Sequence, residues 1–221
     1  MKALSRLSLA ILLFCLFAPE AVAQSHNSEW DEGRFEGSIY QNDYFGFQLN
    51  IPLGWQVEGL AHREKSMEQG RKLIASDSRE EQARRDASVS RTKQLLNLSL
   101  YQDEGRQNLR AVFVCGAEEL VSPEVSDVQY AASAKNILLT MKNPVSIEKD
   151  MYKESVDGID FTVFETLSGD QRVRQKYYVH VMRGYALFFI STYANQEDLA
   201  TMQALIRSVK FNQNGSSRRS Q

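Results

Sequence analysis

Cysteine, histidine and long apolar runs are scarce in this 221-residue chain, and each scarcity closes off a class of explanation. Two cysteines, Cys15 and Cys115, cannot build a disulfide framework or a zinc cluster. The three histidines, His26, His62 and His180, have no second His, Cys or paired carboxylate at ligand spacing, so the sequence offers no metal site and no cofactor. No excess of one charge sign exists: 26 basic against 28 acidic side chains give −2, and nothing points to nucleic acid. No Gly-x-Ser-x-Gly turn surrounds a serine, and no Gly-x-x-x-x-Gly-Lys or Gly-x-Gly-x-x-Gly loop could cradle a phosphate. The expectation is a non-enzymatic protein. What is present is ordinary for a globular domain, with 43% hydrophobic and 24% charged residues, which excludes wholesale disorder.

The N-terminus has a pattern of its own. Lys2 and Arg6 precede an apolar run from Leu7 to Phe17 that only Ser8 interrupts, and Ala21-Val22-Ala23 is a small-x-small site. This reads as a secretory signal peptide, residues 1–23, cleaved after Ala23. The run is too short to span a bilayer, and no later segment approaches 18 apolar residues. Lipid attachment at Cys15 is disfavoured, because Leu13-Phe14 is too bulky for the usual processing site. Removing 23 of 221 residues leaves 198, with 24 basic and 27 acidic side chains and Cys115 as the lone thiol. The expected location is therefore periplasmic or secreted, with no disulfide to help the core.

Within that chain, residues 24–36 read as a flexible polar leader, 37–211 as one folded domain and 212–221 as a disordered Ser-rich tail. Phe45, Phe47, Leu49 and Ile51 alternate as one face of a strand that Pro52 ends. Residues 61–94 form a charged insert read as two helices, 64–75 and 79–92, the second opened by Ser78-x-x-Glu81. Leu95 to Tyr101 and Leu109 to Cys115 read as an antiparallel pair; the glycosylation triplet Asn97-Leu98-Ser99 lies inside it and is set aside. Ser126-Asp127 opens a helix with Tyr130, Ala134, Ile137 and Met141 on one side, stopped by Pro144. Asp157-Gly158 and Arg183-Gly184 mark two hairpins, and Asn195 caps a last helix with a Leu199, Met202, Ile206, Val209 stripe. Hairpins and single-striped helices together predict an α+β fold, a central antiparallel β-sheet flanked by helices.

Two stretches carry a resemblance. Tyr44-Phe45-Gly46-Phe47-x-x-x-Ile51-Pro52-x-Gly54-Trp55 resembles the opening FGF-x-x-x-x-P-x-GW of the PsbP-like group, and Leu205-Ile206-Arg207-Ser208-Val209-Lys210-Phe211 resembles its closing segment. The chain is most similar to exported bacterial members of that group, which also includes the Ran-binding Mog-like proteins. The resemblance implies an α/β/α sandwich with residues 61–94 as an insertion. It implies no particular activity, because a shared fold does not set function.

The candidate interaction surface is a basic-aromatic row on one strand: Arg172, Arg174, Lys176, Tyr178 and His180, spaced by two and so on one face. The opposite set, Val173, Gln175, Tyr177, Val179 and Val181, is the better core face. Either the row meets an acidic partner, an anionic lipid or a polyanion, or carboxylates on neighbouring strands neutralise it. The leading expectation is an exported accessory module that binds an envelope or secreted protein. The alternative is a small-ligand binder or hydrolase with a cleft between sheet and insert, near His180, Tyr178 or Cys115.

Overall fold

The computed structural model describes residues 31–102, 109–141, 145–168 and 173–212. The signal segment, Cys15, His26, Arg172, Pro144 and the tail from residue 213 lie outside the described residues.

The larger of two antiparallel sheets has seven strands. Its strands are β4 (Trp55–Val57), β5 (Thr92–Tyr101), β6 (Leu109–Glu119), β7 (Val145–Val156), β8 (Ile159–Ser168), β9 (Val173–Met182) and β10 (Tyr185–Tyr193). Their spatial order is β4-β5-β6-β10-β9-β8-β7. Both expected hairpins form. The turn residues Asp157 (φ 48°), Gly158 (85°), Arg183 (53°) and Gly184 (80°) all take positive φ, the backbone that tight two-residue hairpins need.

The two faces are covered differently. One receives α3 (Asp127–Leu139), together with the insert helices α1 (Leu60–Leu73) and α2 (Arg79–Arg91). Ser126 and Gln129 form a reciprocal capping box at α3 (3.3 and 2.9 Å), and Tyr130, Ala134, Ile137 and Met141 are buried as their spacing predicts. The other face carries α4 (Gln196–Arg207) and a second, four-stranded sheet, β1 (Arg34–Glu36), β2 (Ile39–Asn42), β3 (Phe47–Asn50) and β11 (Lys210–Phe211), in that order. The fold class is thus α+β with helices on both faces of the main sheet. The addition to the expected sandwich is that the Phe45–Leu49 segment does not join the main sheet but lies across it. Part of the segment read as leader, Arg34–Glu36, is paired with β2.

The layers meet through two apolar cores. Between the sheets, Phe189 on β10 lies 5.3 Å from Phe161, 5.8 Å from Phe113 and 5.8 Å from Phe47, centroid to centroid. The hairpin turns then clamp the small sheet. Asp157 accepts from Phe211 N–H at 2.8 Å and pairs with Lys210 at 2.9 Å, while Arg183 donates to the Tyr44 carbonyl. On the helical face, the Phe188 ring closes on Gly116, where a Cβ would come within 2.4 Å of it.

The insert helices are two, as expected. The first starts earlier, at Leu60, because the Gly59 carbonyl accepts from His62 and Arg63 N–H at 3.0 and 3.1 Å. The second is held by polar contacts rather than by an apolar stripe. Ser88 donates to Glu118 at 2.6 Å, Arg91 pairs with the same oxygen at 3.2 Å, and Tyr130 donates to the other at 2.8 Å. Arg85 is buried and donates to the Ile74 carbonyl.

Two substitutions test this packing. Phe189→Ala removes the ring that joins the two sheets and is expected to cost about 3–5 kcal/mol in denaturant unfolding. Gly116→Ala drives a methyl into Phe188 and is expected to cost about 1–3 kcal/mol by the same measurement; an unchanged midpoint would mean that Phe188 moves aside freely.

Candidate functional site

The basic row sits on the face of β9 that looks toward the small sheet, near the margin of that sheet's cover. Arg174 donates to both oxygens of Glu148 at 2.9 Å. Lys176 pairs with Glu154 at 2.6 Å, and Tyr178 donates to the other oxygen of Glu154 at 3.0 Å. The Lys176 side chain is only 12% exposed and Tyr178 only 2%. Burial pushes the Tyr178 phenol far above its ordinary range, with the Glu154 charge adding to it, so it stays protonated. The neutralising carboxylates come from β7, two strands away, across β8. Both described cations of the row, Arg174 and Lys176, are thus ion-paired, Arg174 at the surface and Lys176 largely covered. Sequence alternation identified the other face as core correctly; it could not show that the small sheet and α4 also cover this one.

His180 stands apart from that network. Its Nδ1 lies 3.5 Å from Asp127 Oδ2 without a hydrogen bond, and its ring lies 5.4 Å from Phe161. Asp127, the first residue of α3, accepts from Val181 N–H at 2.7 Å and from Lys153 at 3.2 Å. The β8–β9 ladder runs only from Thr162↔Val179 onward, so the carboxylate reaches a strand N–H beyond the point where that pairing stops. Cys115 is 1% exposed, inside the core between the sheets, and burial pushes its thiol well up. It packs as a small apolar side chain.

The space between sheet and insert lies elsewhere. The register Gln56↔Ser99, extended by the bond from Glu58 N–H to the Asn97 carbonyl (2.9 Å), puts Gln56, Glu58, Asn97 and Ser99 on one face at the sheet edge. A cavity of about 200 Å³ opens beside them, walled by Glu58, Asn97 and Arg63 of α1 and by Phe35, Tyr40 and Val57. Arg63 is fixed by the Gln94 and Leu95 carbonyls at 2.9 and 3.1 Å, where β5 bulges. Glu58, with a side chain 2% exposed, accepts from Tyr101 at 3.1 Å and lies 3.4 Å from His62 Nδ1. These residues carry no sequence motif; they meet because a strand edge, a bulge and the insert's first helix converge.

Next to the cavity, sharing Phe35 and Val57 with it, is an apolar groove of about 750 Å³ between the small sheet and the β4 edge. Leu53 is fully exposed at its rim, and Phe35 and Val57 are 48% and 42% exposed. The sequence marked Pro52 and Gly54 only as a strand end and a turn.

Asp127 offers a pH test. Burial opposes its ionisation, but His180, the Val181 N–H and Lys153 together outweigh burial and hold the carboxyl at about 2. The unfolded value is about 3.9, so this group stabilises the fold fully above about pH 4 and loses that contribution as pH falls toward 2. Asp127→Asn is expected to melt below the parent at pH 7, with the gap closing between about pH 4 and 2. A gap of constant size down to pH 2 would mean that the charge is not what stabilises.

No family model matches the chain, and no curated protein matches it. Among solved structures it is similar to cyanobacterial PsbP (CyanoP) from Synechocystis, with 14% identity, a TM-score of 0.46, and coverage of 81% of this chain and 98% of that one. It is also similar to LpqN, described as involved in cell envelope biogenesis of Mycobacterium tuberculosis, with 11% identity, a TM-score of 0.42, and coverage of 75% and 83%.

Proposed function

We propose that this chain is an exported accessory module, without chemistry of its own, that holds an extended apolar segment of another envelope or secreted protein in the groove beside β4. The observation that carries this reading is the concentration of exposed apolar side chains. Phe35, Ile39, Leu53, Val57 and Leu60, five of the seven large exposed hydrophobics among the described residues, cluster at this end. Exposed apolar area of this kind is costly to keep on a free surface and is characteristic of contact sites.

The backbone supports the same reading. β4 is an edge strand, paired only with β5. Because Glu58 N–H bonds Asn97 and antiparallel bonding alternates, the N–H and C=O of Val57 turn to the open side. An added strand would take its main-chain bonds there and set alternate side chains against Phe35, Leu53 and Trp55. Export rests on the N-terminal sequence pattern.

Two measurements test the proposal. Mass spectrometry of the mature protein is expected to find Gln24, or its cyclised form, at the N-terminus; a lipid-modified Cys15 would overturn soluble export. A photo-crosslinking residue placed at Leu53 in the source cells is expected to capture a discrete protein, with capture lost in Val57→Pro at unchanged thermal midpoint. Equal capture from position 174 would remove the groove from the reading.

A further inference from the structure

Sheet edges are normally blunted by charges, prolines or irregular pairing, because a bare edge offers its backbone to another chain. Among the described strands, β7 at one edge of the main sheet follows that rule. It carries Glu148, Lys149, Asp150, Lys153 and Glu154, and its register with β8 shifts on either side of Lys149. β1, at an edge of the small sheet, carries Arg34 and Glu36. β4, the opposite edge of the main sheet, is Trp55-Gln56-Val57, with no charge, no proline and no bulge against β5. Exposed Leu53 and Leu60 lie just beyond its two ends.

The open backbone groups of this edge form a particular pattern. Residues 55, 57 and 59 turn their backbone outward, because Glu58 N–H bonds the Asn97 carbonyl and Gly59 continues the extended backbone (φ −70°, ψ 169°). Two of the outward groups are already engaged within the chain. Trp55 N–H donates to the Pro52 carbonyl at 3.2 Å, and the Gly59 carbonyl accepts from His62 and Arg63 N–H at 3.0 and 3.1 Å. That leaves the Trp55 carbonyl, both groups of Val57 and the Gly59 N–H without a backbone partner among the described residues.

This set is its own complement. Two antiparallel copies of β4 related by a two-fold axis at Val57 match Val57 N–H with the second copy's Val57 carbonyl, and Gly59 N–H with the second copy's Trp55 carbonyl, each in both directions. The remaining bond of that ladder, from Trp55 N–H to the Gly59 carbonyl, would join the two groups that are already satisfied. Moving the axis by one residue either way loses half of the matched bonds. The side chains agree with this register. Val57 meets its own copy, apolar against apolar, and Trp55 comes opposite Gly59, which has no side chain to obstruct it. Gln56 comes opposite Glu58, an amide against a carboxylate, so no like charges face each other. The same register brings Leu60 of one copy toward Leu53 of the other.

We propose that two copies of this chain pair through β4, antiparallel about a two-fold axis at Val57, and that this pairing covers the edge until another protein's segment displaces the second copy. The displacement rests on the reading of the groove given above; the pairing does not.

The test is light scattering and sedimentation of the full mature chain. Expected is a mass of two chains at about 0.1 mM, falling toward one on dilution, as for a contact with a Kd in the micromolar range. Val57→Pro removes an outward N–H that the fold itself does not use, and is expected to give the mass of one chain with the circular dichroism spectrum retained. Val57→Lys keeps the backbone and sets like charges across the axis; it is expected to do the same and serves should the proline variant fail to fold. Val57→Cys reads the register. A hydrogen-bonded pair holds its Cα atoms about 5.5 Å apart, within disulfide range, so oxidation is expected to link two chains at this position. Leu139→Cys on α3, as exposed as Val57, is expected to stay unlinked, and the native Cys115 is buried and does not compete. A mass of one chain at the higher concentration, a dimer that survives both Val57→Pro and Val57→Lys, or oxidation that links Leu139→Cys as readily as Val57→Cys would each overturn the proposal. A monomer overturns it whatever protein is captured from position 53 in cells. A dimer whose position 53 captures only its own copy upholds the pairing and overturns the groove reading.

Discussion

Phe189 lies where the two sheets press together, and most of the architecture follows from keeping that contact dry. It belongs to β10, which runs through the main sheet between β6 and β9, so its ring can meet Phe113 and Phe161 on strands of its own sheet and Phe47 on the small sheet at once. Burial on this scale needs a cover as broad as the sheet. A single helix cannot supply it, and α4 is completed by the four-stranded sheet built from the two ends of the domain. That closure explains why the hairpin turns are more than turns. Asp157 and Arg183 each hold the cover in place from below, and each does so from a positive-φ position that sets its side chain off the end of the ribbon.

Charge is handled in the same spirit at the margins of the layers. Glu118 ties α2 and α3 to the helical face, Asp127 fastens the start of α3 to β9, and Glu154 joins Lys176 to Tyr178 at the far edge. Each carboxylate is drawn in only as far as donors can follow it, which is the condition for burying charge at all. The sheet edge at β4 is different. There Gln56, Gln94, Asn97 and Arg63 leave polar atoms without protein partners, beside exposed Leu53 and Val57. Polar orphans and bare apolar side chains stand together at this end of the molecule.

Local signals in the chain were legible where one element sufficed to specify them. Asp157-Gly158 and Arg183-Gly184 name their own turns, Ser126 and Asn195 their own caps, and the Tyr130–Met141 spacing its own buried stripe, because each rests on contacts within a few residues. The Arg174–Lys176–Tyr178 row shows where such reading ends. Period two places these residues on one face with certainty, yet whether that face is wet depends on Glu148 and Glu154, more than twenty residues away, and on the small sheet. Arg63 and Asn97 are more remote still from any pattern: one lies in a polar helix, the other at an unremarkable strand position.

The amino-acid sequence by itself determined the α+β class, the hairpins, the helix caps, the two insert helices and the apolar identity of the helical face, since these follow from propensity, turn chemistry and period. Only the tertiary structure decided that the opening strands leave the main sheet to cover it, that Arg174 and Lys176 of the basic row are paired, and that a polar cavity and an apolar groove open at the β4 edge. The physical reason is the range of the interactions. Backbone preferences act over a turn or a strand, whereas burial and charge pairing depend on which distant surfaces are brought to face one another.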